Sequence, residues 1–540
     1  MDFTIGEIAA ACGGTLVLRG TISTDRQVSS VTIDSRQVTE EGVFLATVGE
    51  RVDGHRFISS VFAQGAALAV TQKTPEQAEA DTGVSSESWG SYLLVENTLQ
   101  ALKDMAEYYR RKLSIPVVGI TGSVGKTSTK EFIAGVLSEK YQVLKTDGNY
   151  NNEIGVPLTL LRIRREHTAA VVEMGISDFG EMHRLSKMAR PDICVITNIG
   201  QSHLENLKTR DGILKAKSEI FDFMAEDGQV CLYGGDDKLA TLTEIRGRKP
   251  HFFGWGENPL EEVTVGEVVS HGLWGSDAVL TMRRRGSGGS DITFRRRGSG
   301  EPDITSASAQ PEDAVLAEAQ SAAESSVEMQ SEDVALAETQ TTESGSAVEK
   351  IEIHVPLPGR HMVLNSAAAA CVAGLLGLTP EQIGAGIRKI RPVNGRNNLI
   401  RLREYTLIDD CYNANPASMK AAIDLLAMAD TMKVAILGDM FELGENSHAL
   451  HGEIGAYAAA AGIDRIYCVG KEAVYMYRAA CGQTASAAQA LYFPTKEELL
   501  RALESGLAQY VPRGSTVLVK ASHGMEFTEI VERVTVQTGH

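Results

Sequence analysis

Residues 117–128 read Val-Val-Gly-Ile-Thr-Gly-Ser-Val-Gly-Lys-Thr-Ser, and no other stretch carries so clear a chemical signal. An apolar run enters a glycine-rich turn, then Lys-Thr and a helical stretch. Gly122 and Gly125 let the backbone curl so that its N–H groups face inward, as a phosphate cradle requires. Lys126 supplies a point charge for β- and γ-phosphates, and the hydroxyl of Thr127 can hold Mg²⁺. The helix that follows points its positive end at the anion. Thr121, Gly122, Ser123, Val124, Gly125, Lys126, Thr127 and Ser128 are therefore the candidate nucleotide-binding residues. The strict loop pattern wants a glycine where this chain has Ile120. The expected ligand is a nucleoside triphosphate.

Further candidates fall where strands end. Glu173 closes the run Ala169–Val172. A carboxylate there, in the same sheet as the loop, suits a hard cation that takes one or two carboxylates plus phosphate and water. His203 lies just past the strand at 193–198 and reads either as a surface histidine or as a second ligand. Lys217 sits on the apolar stripe of a helix expected over 211–224, with Ile213, Ile220, Phe221 and Met224 around it. Either its head snorkels out, or its amine is desolvated and its pKa falls. A neutral amine there can add CO₂ to form a carbamate, an oxygen ligand for a cation. Asn151 and Asn152, within Asn149–Pro157, suit sugar, phosphate or amide groups, though asparagines also favour turns. Asp409–Met419 crowds Asp410, Tyr412, Asn413, Asn415 and Ser418 at another strand end. There Asn415 and Pro416 also suit a helix start.

These residues need sheets to hold them. A chain of 540 residues is too long for one core. Strands expected at 115–120, 142–146, 168–174, 193–198 and 229–233 alternate with helices, followed by a small β region at 251–282. A second alternating set runs through 405–410, 433–438, 465–469, 490–493 and 515–520. The expected fold is α/β in three domains. A small N-terminal α/β substrate domain covers 1–112, a central P-loop domain with a mostly parallel sheet covers 113–392, and a C-terminal Rossmann-like, doubly wound domain covers 393–540. Residues 283–348 interrupt this order. Arg-Arg-Arg-Gly-Ser-Gly occurs at 283–288 and again at 295–300, and the composition cannot bury enough apolar surface to fold. A disordered insertion is expected.

The net charge of −18 argues against a nucleic-acid partner. The seven cysteines form no C-x-x-C pair and read as reduced thiols. No apolar stretch is long enough to cross a bilayer, and the N-terminus lacks a leader pattern. The expectation is a cytoplasmic protein that acts on small molecules without inserting into a membrane.

Taken together, these segments resemble the Mur ligase family, ATP-dependent amide-forming enzymes of peptidoglycan precursor assembly. The resemblance covers nearly the whole chain outside 283–348. It implies that Thr121–Thr127 is the ATP loop, that Glu173 and His203 bind metal, and that Lys217 is carbamylated to N6-carboxylysine. It implies catalytic roles for Lys126, Lys217, His203 and Glu173, and a cation set of Thr127, Glu173, His203 and carbamylated Lys217 for two Mg²⁺ ions. Asn365, Arg396 and Asp410 match positions that reach the nucleotide. Asp34-Ser35-Arg36 and Asp53-Gly54-His55 look like a UDP-substrate pocket. Asp409–Met419 is similar to the branch whose amine is D-alanyl-D-alanine and whose acceptor is a UDP-N-acetylmuramoyl-tripeptide. The Asp-Asn-Pro-Arg signature of the diamino-acid-adding branch is absent. That branch, a folylpolyglutamate-type ligase and a non-catalytic nucleotide-responsive binding protein remain the other readings. The resemblance further implies a monomer whose third domain closes on the nucleotide about hinges near 112 and 392. One departure stands out: the family's Lys-Gly-Ser-Arg is Lys520-Ala-Ser-His523 here.

Overall fold

Val117–Thr121 is buried along its whole length, as a strand covered on both faces must be. It lies inside the second of three sheets in the computed structural model, which describes residues 1–49, 52–283, 339–341, 347–483 and 488–537. The first sheet has five strands, all parallel except Thr15–Val17, which runs antiparallel to Tyr92–Leu94. The second is parallel from Val143–Lys145 through Ala169–Glu173, Val117–Thr121, Ile193–Ile196, Gln229–Tyr233 and His251–Gly254 to Glu261–Ser270. The third orders Thr406–Asp409, Thr516–Lys520, Lys433–Gly438, Arg465–Val469 and Gln489–Phe493 in parallel. The expected α/β class with three sheet-bearing regions is what the structure contains.

Two helices set the site. Lys126–Leu137 begins at Gly125 and buries Phe132, Ile133, Val136 and Leu137. Against it lies Arg360–Leu375, whose Ala367–Ala370 are essentially inaccessible and let the helices pack closely. Thr98–Lys112 starts with Asn97 Oδ1 accepting from the N–H groups of Leu99 and Gln100. Its apolar face joins the first sheet and one face of the second in a single core.

The structure corrects several sequence expectations. The β region expected at 251–282 is part of the central sheet. His251–Gly254 and Glu261–Ser270 extend the central sheet, and Ser276–Arg283 and Ala347–Val355 continue it antiparallel. The expected insertion lies almost wholly outside the described residues. Thr339–Thr341 within it nevertheless pairs with Ala347–Glu349 at the sheet edge. The helix carrying Lys217 ends at Ser218 and tightens into a 3₁₀ turn at Glu219–Phe221. That turn lets the Glu219 carboxylate accept from the N–H groups of Gly180 and His183, capping the neighbouring helix. Asn398–Arg401 adds an antiparallel edge strand to the third sheet. Finally, the end of Thr98–Lys112 is tied to the central unit. Arg110 is buried there and donates to Asp192 at 2.7 Å and to Ala189 O at 2.9 Å. Breaking a buried pair of that kind is strongly unfavourable.

Candidate active site

The site is built on the carboxyl ends of Val117–Thr121, Ala169–Glu173 and Ile193–Ile196. The loop after the first strand depends on its glycines. Gly122 has φ of +148°, and a Cβ added there would sit 1.9 Å from Thr197 Oγ1. Gly125, at φ of +84°, opens the helix. The loop is latched from the third strand. Ser123 N–H donates to Asn198 O and Oδ1, both at 3.1 Å. Val124 N–H donates to Asn198 Oδ1 at 2.9 Å, and Thr197 Oγ1 donates to Val124 O at 2.6 Å. Two N–H groups expected to face an anion are thus taken by Asn198, a residue the sequence reading passed over. Lys126 Nζ donates to Gly122 O at 2.9 Å. Burial pushes its pKa down, opposed by the Glu173 carboxylate.

Glu173 is 1% exposed. Its Oε1 accepts from Thr127 Oγ1 at 3.2 Å and from Asn151 Nδ2 at 2.8 Å. Its Oε2 has no hydrogen-bond partner among the described residues, and neither does the buried Thr121 Oγ1 at the end of the adjacent strand. A buried carboxylate oxygen left open beside a hydroxyl is the donor chemistry that Mg²⁺ takes. Lys217 is 1% exposed, so the snorkelling alternative does not hold. Burial first, and then the charge of Lys126, push its pKa well below the usual lysine value. His203 stands in the left-handed region at φ of +58°. Its Nδ1 lies 2.6 Å from Oε2 of Glu442, which belongs to the third sheet's unit. Among the described residues, no three His, Cys, Asp or Glu side chains gather as a metal cluster.

The third unit reaches the loop. Arg396 stacks on the Tyr412 ring, 3.9 Å from its centroid, and donates from Nη2 to Thr127 Oγ1 at 3.4 Å. His523 lies against the same tyrosine, with ring centroids 5.3 Å apart. Asp410 Oδ2 pairs with buried Lys520 at 2.6 Å, and Lys520 also donates to Asn413 O at 3.0 Å. Asn365 Oδ1 accepts from Thr129 Oγ1 at 3.0 Å, so it sits beside the loop helix. Asn415 and Ser418 spend their side chains on each other's backbone N–H as a helix cap. Asn152 Oδ1 accepts from Ile154 and Gly155 N–H groups in the same manner. Sequence reasoning missed Lys130, which is buried four residues after Lys126. The cue that marked Lys217, a lysine on a buried helix face, marks it too.

A cavity of about 1300 Å³ lies between the first unit and the central one. Asp34, Ser35 and Arg36 line one side, and Asp147, Tyr150 and Arg162 the other. Arg36 grips Asp34 through Nε at 2.9 Å and Nη2 at 2.8 Å, which holds that carboxyl down at about 2. Gly54 lines the cavity, but its neighbours turn inward. His55 is buried, its Nδ1 2.5 Å from Asp53 Oδ1 and its Nε2 accepting from Gln72 N–H. Lys73 Nζ holds Asp53 Oδ2 at 2.7 Å. Asp53 and His55 therefore brace the loop that carries Gly54 through their bonds to each other, Gln72 and Lys73.

Burial alone would raise the Asp53 carboxyl. The hydrogen bonds from Lys73 and His55 outweigh it and bring the pKa from 3.8 to about 2. A depressed carboxyl stabilises the fold above its unfolded pKa and loses that contribution as pH falls through the folded value. Between about pH 4 and pH 2, thermal stability should fall more steeply in the parent chain than in Asp53→Asn. The variant should melt lower at neutral pH. Parallel melting curves for the two proteins across that window would contradict this role.

The chain matches the models of the Mur ligase middle domain at 120–279, the Mur ligase glutamate ligase domain at 395–523 and the Mur ligase family catalytic domain at 27–110. It is 32% identical over 511 residues to the UDP-N-acetylmuramoyl-tripeptide–D-alanyl-D-alanine ligase of Escherichia coli, covering 94% of each chain. The enzyme of that name from Bacillus subtilis is 30% identical over 94% of this chain and 93% of its own. The MurF crystal structure from Acinetobacter baumannii superposes with a TM-score of 0.75 at 27% identity, covering 99% of both chains. A MurF ligase from Thermotoga maritima in complex with ADP gives 0.69 at 25% identity, covering 94% of this chain and 97% of its own.

Proposed function

This chain belongs to the Mur ligase family, and on that footing we propose that it joins D-alanyl-D-alanine to a UDP-N-acetylmuramoyl-tripeptide at the expense of ATP. It is an ATP-dependent ligase, and the relatives that share this name align along nearly its whole length. One observation supports the chemistry most directly: Arg396, from the third sheet's unit, meets Thr127 at the phosphate loop. Two separate binding surfaces thereby share one triphosphate position.

A carboxylate and an amine do not condense in neutral water, because oxide is a poor leaving group. Moving the γ-phosphoryl group of ATP onto the tripeptide carboxylate forms an acyl phosphate and ADP. The dipeptide amine then attacks the carbonyl carbon, phosphate leaves, and the amide remains. The protein's contribution is positioning and charge stabilisation. Lys126 leaves Gly122 O to hold the β- and γ-phosphates, and Asn365 and Asp410 hold the rest of the nucleotide. Asp34, Ser35 and Arg36 take the UDP end in the first cavity. Asn151 and Asn152 stand between that cavity and Glu173. Tyr412, Asn413, Asn415 and Ser418 border the dipeptide pocket, the last two by shaping the helix start there.

Mg²⁺ fits this donor set. Thr127 and the open oxygen of Glu173 would hold one ion. His203, once free of Glu442, and Lys217 as its carbamate would hold a second. When bound, such ions offset the repulsion between the acceptor carboxylate and the γ-phosphate. Lys217 suits carbamylation because a desolvated, neutral amine can add CO₂ and release a proton. The enzyme works in the cytoplasm as a monomer. No helix among the described residues is long and apolar enough to cross a membrane.

Phosphate release tests this reading. It should require ATP, the UDP-tripeptide and D-alanyl-D-alanine together. Equal release with either the acceptor or the dipeptide omitted would overturn it. A diamino acid or glutamate working better than the dipeptide would transfer the assignment to another family branch.

A further inference from the structure

We propose that Lys130 is a positioning residue for Glu173: its buried ammonium fixes the carboxylate in the orientation that nucleotide-bound magnesium requires. This deepens the reading above and rests on Glu173 being a cation ligand. Lys130 lies one helical turn beyond Lys126 on Lys126–Leu137 and is 1% exposed. Burying a lysine is costly unless its charge is met. Here three oxygens meet it. Nζ donates to Thr146 O at 2.7 Å, lies 3.2 Å from Glu131 Oε1 and 3.8 Å from Glu173 Oε2.

The third contact carries the inference. Glu173 Oε2 is the buried oxygen left without a hydrogen bond, while Oε1 is held by Thr127 and Asn151. Lys130 attracts the open oxygen without capping it, because 3.8 Å is an ion-pair distance and not a hydrogen bond. The carboxylate is held at both ends, yet one oxygen stays available. Thr146 completes the frame. Its carbonyl takes Lys130, and its Oγ1 accepts the Glu173 N–H at 3.0 Å. The same residue thus fixes both the lysine and the backbone of the acid. Groups that orient a ligand from behind govern metal affinity although they never touch the metal.

The test measures binding, not turnover. ADP is titrated into the full chain by calorimetry over a series of MgCl₂ concentrations. In the parent protein, magnesium should tighten ADP binding. In Lys130→Met, the magnesium concentration giving half of that gain should rise about tenfold or more, while ADP affinity without magnesium stays within about twofold. Lys130→Arg, which keeps the cation, should recover most of the loss. If Lys130→Met does not fold, Lys130→Gln keeps a donor for Thr146 O without the charge and gives the same comparison. A variant that melts lower but keeps the parent's magnesium dependence would make Lys130 a structural strut and overturn the inference alone. Parent binding indifferent to magnesium, or Glu173→Gln with undiminished dependence, would instead overturn the reading of Glu173.

Discussion

Lys217→Ala should lower kcat for amide formation by roughly a hundredfold or more, with a short carboxylate such as acetate or formate restoring part of it. On the proposed reading, the size follows from losing a ligand to an ion that neutralises several kcal/mol of developing charge. The rescue follows from the carbamate being, to the cation, a pair of oxygens. The structure supplies the condition for that chemistry. Lys217 is fully enclosed at the end of Arg210–Ser218, and its enclosure and Lys126 together disfavour the ammonium. Removing a desolvated lysine should not unfold the chain, so melting curves of Lys217→Ala and Lys217→Met serve as controls. Full activity in Lys217→Ala would eliminate the carbamate. Loss of activity with no rescue by any short carboxylate would show that the amine itself acts.

Lys126→Met should cost about a thousandfold in kcat, the upper range for removing one preorganised group from a transferring phosphoryl. In the structure this lysine bonds Gly122 O within its own loop, so the loop is preformed around it and the phosphate replaces an internal acceptor. Binding of the UDP-substrate should survive, because the cavity proposed for it is lined by Asp34, Ser35, Arg36, Asp147, Tyr150 and Arg162, none of them in the loop. A variant with turnover within about threefold of the parent would mean that the loop does not carry the reacting phosphate. It would also favour the reading of a nucleotide-responsive binding protein over an enzyme.

His523 bears on both experiments. Where the resemblance leads one to expect arginine, the imidazole leans on Tyr412, whose ring carries Arg396. Lys520, three residues earlier, still holds Asp410 and Asn413. The strand-end contacts of Lys520 are therefore present with histidine at 523, and Tyr412 lies between His523 and Arg396.

What the sequence determined by itself was chemistry carried on contiguous residues. The glycine loop, Lys126 and Thr127 are legible because a tight anion-binding turn needs fixed residue types at adjacent positions. Glu173 and Lys217 are legible because a polar residue ending a buried strand, or lying on a buried helix face, breaks the local pattern. The alternation of strands and helices gave the three α/β units for the same reason, since periodicity is local. Only the tertiary structure decided which partner each group takes. Asn198 claims two loop N–H groups from 74 and 75 residues away, Glu442 occupies His203, and Lys130 faces Glu173. Asp53 and His55 read as pocket residues in the chain, and only the fold shows that they bond each other, Lys73 and Gln72, because such partners depend on what packs behind. Near 112 the chain reads as a boundary in sequence, and only the fold shows that Arg110 bonds Asp192, 82 residues on. Such pairings depend on which strands lie side by side, and a strand order like 143, 169, 117, 193 is fixed by burial summed over the whole sheet, not by any one segment.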